Sequence, residues 1–216
     1  MNVFAWIATL LAAFGLFQQI PPGQPFDLTA ALAAAQPGDI IVVPPGVYAG
    51  PIEVTVPGLT LEGQEGAIID GGGLGDVLTV RAPDVTLRGL TIRNSGDSLD
   101  REHAGITGLA PRLTIKNNRL ENVLFGIYLK EAPDSVIRGN YVTGMDLDIG
   151  RRGDGIRVWQ SSDTLLEDNY VYDVRDVVMW FSSDAVLRGN VIENGRYGLH
   201  FMFSDRQTVE ENVLRS

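Results

Sequence analysis

Five asparagines recur along the second half of the chain, at Asn118, Asn140, Asn169, Asn190 and Asn212, in steps of 22, 29, 21 and 22 residues. Two residues after each stands an aliphatic side chain: Leu120, Val142, Val171, Ile192 and Leu214. A second polar or glycine position follows at Asn122, Gly144, Asp173 and Asn194. Turn triplets punctuate the same stretch: "APD" (82–84), "APR" (110–112), "APD" (132–134), "SSD" (161–163), "SSD" (182–184) and "FSD" (203–205). A repeat of about 22 residues, made of short strands and polar corners, predicts an all-β right-handed parallel β-helix. In such a solenoid each coil hydrogen-bonds to the next, and equivalent residues stack at the interstrand spacing of ~4.8 Å. Asparagines stacked at one corner then bond amide to amide, which satisfies polar groups that would otherwise be stranded beside the core. Leucine-rich repeats share the period but need recurring Leu positions that are missing here.

The N-terminal region reads differently. "VFAWIATLLAAFGLF" (3–17) is too short to span a membrane comfortably and has the length of a secretory h-region. Residues 1–20 are therefore expected to be a signal peptide, cleaved before Pro21, with a buried capping helix as the alternative. "LTAALAAAQPGD" predicts a short helix stopped by Pro37-Gly38, and "IIVVPPGVY" a β-branched strand ending in a Pro-Gly turn. This gives a β-helix over residues 21–216 with a short N-terminal capping helix. Seventeen basic against 27 acidic residues, a formal charge of −10, speak against a nucleic-acid backbone as ligand. With no cysteine in the sequence, disulfides and thiolate chemistry are excluded, while an oxidising compartment is not.

Two repeat units are longer than the others. "SGDSLDREHA" (95–104) and "MDLDIGRRGD" (145–154) are expected to bulge from the same edge of the solenoid, two coils apart, where per-repeat insertions often form a binding face. The strands after the insertions align as "GIYLK", "GIRVW", "VVMWF" and "GLHFM". In that alignment Ile127, Ile156, Val178 and Leu199, with Leu129, Val158, Trp180 and Phe201, face the core. Tyr128, Arg157, Met179 and His200, with Lys130, Trp159, Phe181 and Met202, face out. An outward Met179, His200 and Met202 would offer thioether and imidazole donors, a soft set suited to Cu(I). Tyr128, Arg157, Trp159 and Phe181 would form a partner surface beside it. Packing under further chain or a partner explains the same residues without a metal.

A β-helix also suits enzymes acting on acidic polysaccharides, which need a cation or basic cluster and a base. Asp97, Asp100, Glu102, His103, Asp146, Asp148, Arg151, Arg152 and Asp154 lie in the insertions, in no recognisable ligand spacing. The turn acids Asp84, Asp134, Asp163, Asp184 and Asp205 recur in step, and turn-forming side-chain contacts explain them more simply than a calcium ladder. No catalytic residue is assigned, and the expectation is a non-enzyme.

"GLHFMFSD", preceded by "RDVVMWFSSDAVLRGN" and "GDGIRVWQSSDTLLEDN", closely resembles the NosD family, as do "GDIIVVPPGVYAGPIEV" and the "DGGG" run at 70–73. The resemblance covers roughly residues 25–216. It implies a periplasmic β-helix accessory protein required to mature the copper sites of nitrous oxide reductase. Its implied partners are an ABC-type ATPase and permease, with the reductase or a copper chaperone, and its cargo copper or sulfur. It does not fix copper ligands. Members of that family are longer, and this chain stops at "NVLRS" in mid-coil, so an N-terminal portion of a longer protein is expected.

Overall fold

A computed structural model describes residues 26–215. The residues expected to form a signal peptide lie outside that range. The described chain winds into a right-handed parallel β-solenoid of about eight turns. Each turn visits three sheets in order. The first runs from Ile40–Val43 to Thr208–Glu210 in eight strands, and the second from Gly46–Ala49 to Val213–Arg215 in eight. The third runs from Ile52–Val54 to Gly198–Met202 in seven, and the pairings are parallel. The expected "IIVVPPGVY" strand is split: Pro44-Pro45 form the corner between Ile40–Val43 and Gly46–Ala49, because proline cannot donate to a ladder.

The short helix Leu28–Ala34 begins at Asp27, whose carboxylate accepts the Ala30 N–H at 3.0 Å, and it buries Leu28 and Ala31 over the first coil. Most strands send one alternating set inward, so the interior is stacked aliphatic columns such as Leu61–Leu87–Ile115–Ile137. Each buried Leu or Ile contributes about 1.5–3 kcal/mol relative to exposure.

The corner between first and second sheets carries the predicted asparagine ladder. Asn118 Nδ2 donates to Asn140 Oδ1 at 3.1 Å, Asn140 to Asn169 at 3.0 Å, Asn169 to Asn190 at 2.9 Å and Asn190 to Asn212 at 2.8 Å. Each acceptor oxygen also takes a backbone N–H of the neighbouring coil, as Asn140 Oδ1 takes that of Asn118. A serine ladder, not anticipated from the sequence, does similar work at the corner after the third sheet. Ser161 Oγ accepts from Ala132 N, Ser182 Oγ from Ser161 N, and Ser204 Oγ from Ser182 N, at 2.8–3.1 Å.

That corner also resolves the turn acids. Asp84, Arg112, Asp134, Asp163, Asp184 and Arg206 share one left-handed position with φ between 53° and 62°. Aspartate tolerates this conformation because its short side chain bonds locally. The sixth member is Arg206, so the "FSD" triplet is one residue out of step and Asp205 is not in the column. Arg112 and Arg206 pair with Asp84 and Asp184 at 2.6 Å. Two of the six members of the column are arginines, each paired with an aspartate of the preceding coil.

Candidate binding site on the outer face of the third sheet

The register of the third sheet decides which side chains can form a site. Strand Asp176–Trp180 pairs with Ile156–Trp159 so that Ile156 meets Val177, Arg157 meets Val178, Val158 meets Met179 and Trp159 meets Trp180. Gly198–Met202 continues with His200 on Val178 and Met202 on Trp180. The sequence alignment had placed this one strand a residue late, and a one-residue slip exchanges the two faces of a strand. Met179 is therefore in the core, fully buried, and Val177 accompanies it. It does not join His200 and Met202, so the three-donor set is not assembled. Val178 and Trp180, expected inside, face out. The outward columns are Tyr128–Arg157–Val178–His200 and Lys130–Trp159–Trp180–Met202.

The two insertions do share an edge. Residues 94–103 and 145–155 both lead from the second sheet into the third, two coils apart. They fold over the third sheet: Leu99, Met145 and Leu147 pack on Phe125, Tyr128 and Leu124 in a small cluster outside the solenoid. Tyr128 and Arg157, expected on a partner surface, are 6% and 8% exposed beneath this roof. Burial pushes the Tyr128 phenol above its ordinary value, and the nearby Glu102 carboxylate adds to the rise. Arg157 joins the two insertions. It donates to Asp154 at 2.7 Å and to Glu102 at 2.6 Å, and its guanidinium lies 4.6 Å from the Phe125 ring centroid.

Beyond the roof the face opens into a cavity of about 230 Å³. Its lining includes Asp154, whose carboxylate has no solvent exposure, and the equally buried Asp176 pairs with the lining residue Arg196. Asp154 accepts from Arg157 through Oδ2 and from Arg175 through Oδ1 at 3.0 Å. Asp176 accepts from Arg196 through Oδ2 at 2.6 Å and from the Tyr197 N–H through Oδ1 at 2.7 Å. All four oxygens are thus engaged. Val178, Trp180, His200 and Met202 complete the lining. The His200 ring sits edge-on to Tyr197, with Nδ1 3.8 Å from Asp176 Oδ2 and 3.5 Å from Arg196 Nη2. The indole Nε1 of Trp180 is buried and has no hydrogen-bond partner among the described residues.

Phe181 is not in the outward column of the sheet. It and Phe203 occupy the next position, at the corner, with φ of 49° and 50°. Earlier coils hold Glu131 and Gln160 there. Left-handed backbone is a genuine outlier for a bulky residue and costs on the order of 1–3 kcal/mol. Both rings are nevertheless exposed and stacked on each other at 4.9 Å, with Trp180 behind Phe181 at 5.9 Å. Trp159 is half-buried, with Lys130 5.2 Å from its ring centroid. Of the insertion residues named from sequence, Glu102 and Asp154 converge on Arg157. Asp97 and Asp146 line a separate open cavity, and Arg152 caps the carbonyls of Leu147 and Asn194. Among the described residues no group of three or more His, Asp or Glu is placed to hold a metal ion.

Residues 76–216 match the family model described as "Right handed beta helix region". The chain belongs to the right-handed β-helix family. Two curated proteins named "Probable ABC transporter binding protein NosD" are similar to this β-helix. The one from Pseudomonas aeruginosa is 33% identical over 134 residues, which is 61% of this chain and 31% of the relative. The one from Stutzerimonas stutzeri is 33% identical over 140 residues, 62% of this chain and 31% of the relative. The chain thus spans about a third of the length of the curated relatives it matches. Among solved structures, an alginate lyase from Paenibacillus sp. superposes with a TM-score of 0.64 at 16% identity, covering 87% of this chain and 72% of the lyase. Escherichia coli ybhc gives 0.60 at 15% identity, covering 97% and 88%. At these identities the likeness is one of fold alone.

Proposed function

We propose that the chain is the β-helix portion of a NosD-like accessory protein, exported to the periplasm, that works beside an ABC-type transporter to deliver copper or sulfur for the copper sites of nitrous oxide reductase. The 33% identity to two proteins named as NosD carries this reading. No helix of the described residues is long and apolar enough to cross a membrane.

The role is binding rather than catalysis. Asp154 and Asp176 are each held in ion pairs with arginine, which fits a structural part for them in a binding site. A Cu(I) cargo would use the His200 imidazole and the Met202 thioether at the rim of the cavity, a soft pair in keeping with that ion. Arg196, beside His200, is balanced by Asp176, so the neighbourhood does not carry an uncompensated positive charge. The exposed Phe181–Phe203 stack, held at a backbone cost, is the surface for the transporter or the reductase.

Deleting the gene in its native host tests the role. The reading expects nitrous oxide reductase depleted in copper, restored by the wild-type gene. A reductase with full copper content in the deletion strain would contradict it.

A further inference from the structure

His200 and Met202 offer a soft cation two donors and leave its remaining side open, and the ring beside them is placed to cover it. Trp180 is the register partner of Met202 in the preceding coil, and both line the cavity of about 230 Å³ together with His200. The direction of the indole follows from its neighbours. Phe181 and Phe203 occupy equivalent positions in successive coils, with 4.9 Å between centroids and 9° between planes. Coplanar rings cannot approach so closely, and the separation matches the coil spacing of ~4.8 Å, so the two overlap face to face along the solenoid axis. The Trp180 plane lies 19° from that of Phe181. One indole face therefore looks toward the preceding coil and the other toward the following one. On the preceding side the Arg157 guanidinium lies 5.8 Å from the ring centroid, a cation–π contact. On the following side stand Met202 and, two residues before it on the same sheet face, His200. Nε1 lies in the ring plane and is buried, so the indole presents carbon, not an N–H, to the cavity.

We propose that Trp180 determines which metals this site accepts: its second face caps a soft monovalent cation, Cu(I) or Ag(I), held by the Met202 thioether and the His200 imidazole. The proposal rests on the reading of His200 and Met202 as Cu(I) donors and adds the element that selects the ion. A thioether and an aromatic face both favour a soft cation, whereas Zn(II) is content with imidazole and harder donors. The carboxylates nearest the site, Asp154 and Asp176, are already paired with arginines, so a harder cation would have to displace a guanidinium to reach them.

The test is a titration of the copper-free 216-residue chain with Ag(I) in nitrate buffer, and separately with Zn(II), each against a competing chelator. A Trp6→Phe/Trp159→Phe background leaves Trp180 as the sole tryptophan, so its fluorescence and near-ultraviolet absorbance report on this ring alone. One equivalent of Ag(I) should quench that fluorescence and shift the indole band. Trp180→Leu should weaken Ag(I) binding roughly tenfold, a cation–π contact between the exposed and the desolvated limits, and leave Zn(II) affinity unchanged. Trp180→Phe keeps the stack on Phe181 and a weaker π face, and should lose roughly threefold; it decides the matter if the leucine variant does not fold by circular dichroism. Undiminished Ag(I) affinity in the folded Trp180 variants, or an indole spectrum unchanged at saturation, overturns the proposal and leaves the two donors in place. Absence of Ag(I) binding by the wild type, or binding that His200→Ala/Met202→Ala retains, overturns the donor reading and the cap together.

Discussion

The outer faces of the first and third sheets share one pleat and one stacking distance, yet they use charge in opposite ways. On the first sheet, Glu62–Arg88 at 2.6 Å, Arg138–Glu167 at 2.5 Å and Arg188–Glu210 at 3.4 Å run along an open surface. Such exposed pairs are worth about 0–1 kcal/mol each. On the third sheet, Arg157 lies beneath two insertions that the first sheet lacks and pairs with Asp154 of one of them, with side-chain exposures of 9% and 0%. There each charge depends on its partner, because water cannot replace it. The same solenoid thus yields a tolerant solvated ladder on one side and a preorganised polar cavity on the other.

The largest break in that contrast should come from Asp154→Ala. It strips Arg157 and Arg175 of a shared carboxylate and should cost about 3–5 kcal/mol in chemical denaturation. Met179→Ala follows at about 3 kcal/mol, a cavity cost in the core. A cost below about 0.5 kcal/mol, the range of a surface substitution, would mean that the register places Met179 outside after all. A smaller effect concerns Asp70, whose carboxyl is held below its ordinary 3.8 first by the Asn94 amide, then by the Gly72 N–H, with Arg93 adding to it. A depressed folded-state pKa means that the unfolded chain takes up the proton first, so the contribution is present above that ordinary value and fades as pH falls through the folded pKa. The gap in melting temperature between wild type and Asp70→Asn should accordingly narrow below about pH 4. The smallest change should be Glu167→Ala on the first sheet, within about 1 kcal/mol despite its two arginine neighbours. A loss as large as that of Asp154→Ala would erase the distinction between the faces.

Much of the fold was legible because a solenoid writes its geometry into sequence spacing. The asparagine column, the aliphatic residue two places on, and the common edge of the insertions all emerged as read. The slip at Asp176–Trp180 arose because "GIYLK" and "GIRVW" begin with glycine, where a Cβ on Gly126 would meet the Gly155 carbonyl oxygen at 2.2 Å. Their counterpart in the next coil begins with Asp176, so the alignment skipped it. Counting back from the corner would have set the register, since Ala132, Ser161, Ser182 and Ser204 each stand two residues after the last outward side chain. The burial of Tyr128 and Arg157 was not legible, because it depends on where residues 94–103 and 145–155 fold, and irregular insertions carry no period. The partnerless Trp180 Nε1 is likewise a tertiary fact.

The proposed Cu(I) donors are His200 and Met202, on the outer face of the third sheet, while Met179 lies in the core. An anaerobic Cu(I) titration against a competing chelator tests this assignment, comparing wild type, Met179→Leu and the double variant His200→Ala/Met202→Ala. The expected result is one-to-one binding that Met179→Leu retains and the double variant loses. Binding that survives the double variant, or that Met179→Leu abolishes, would contradict it.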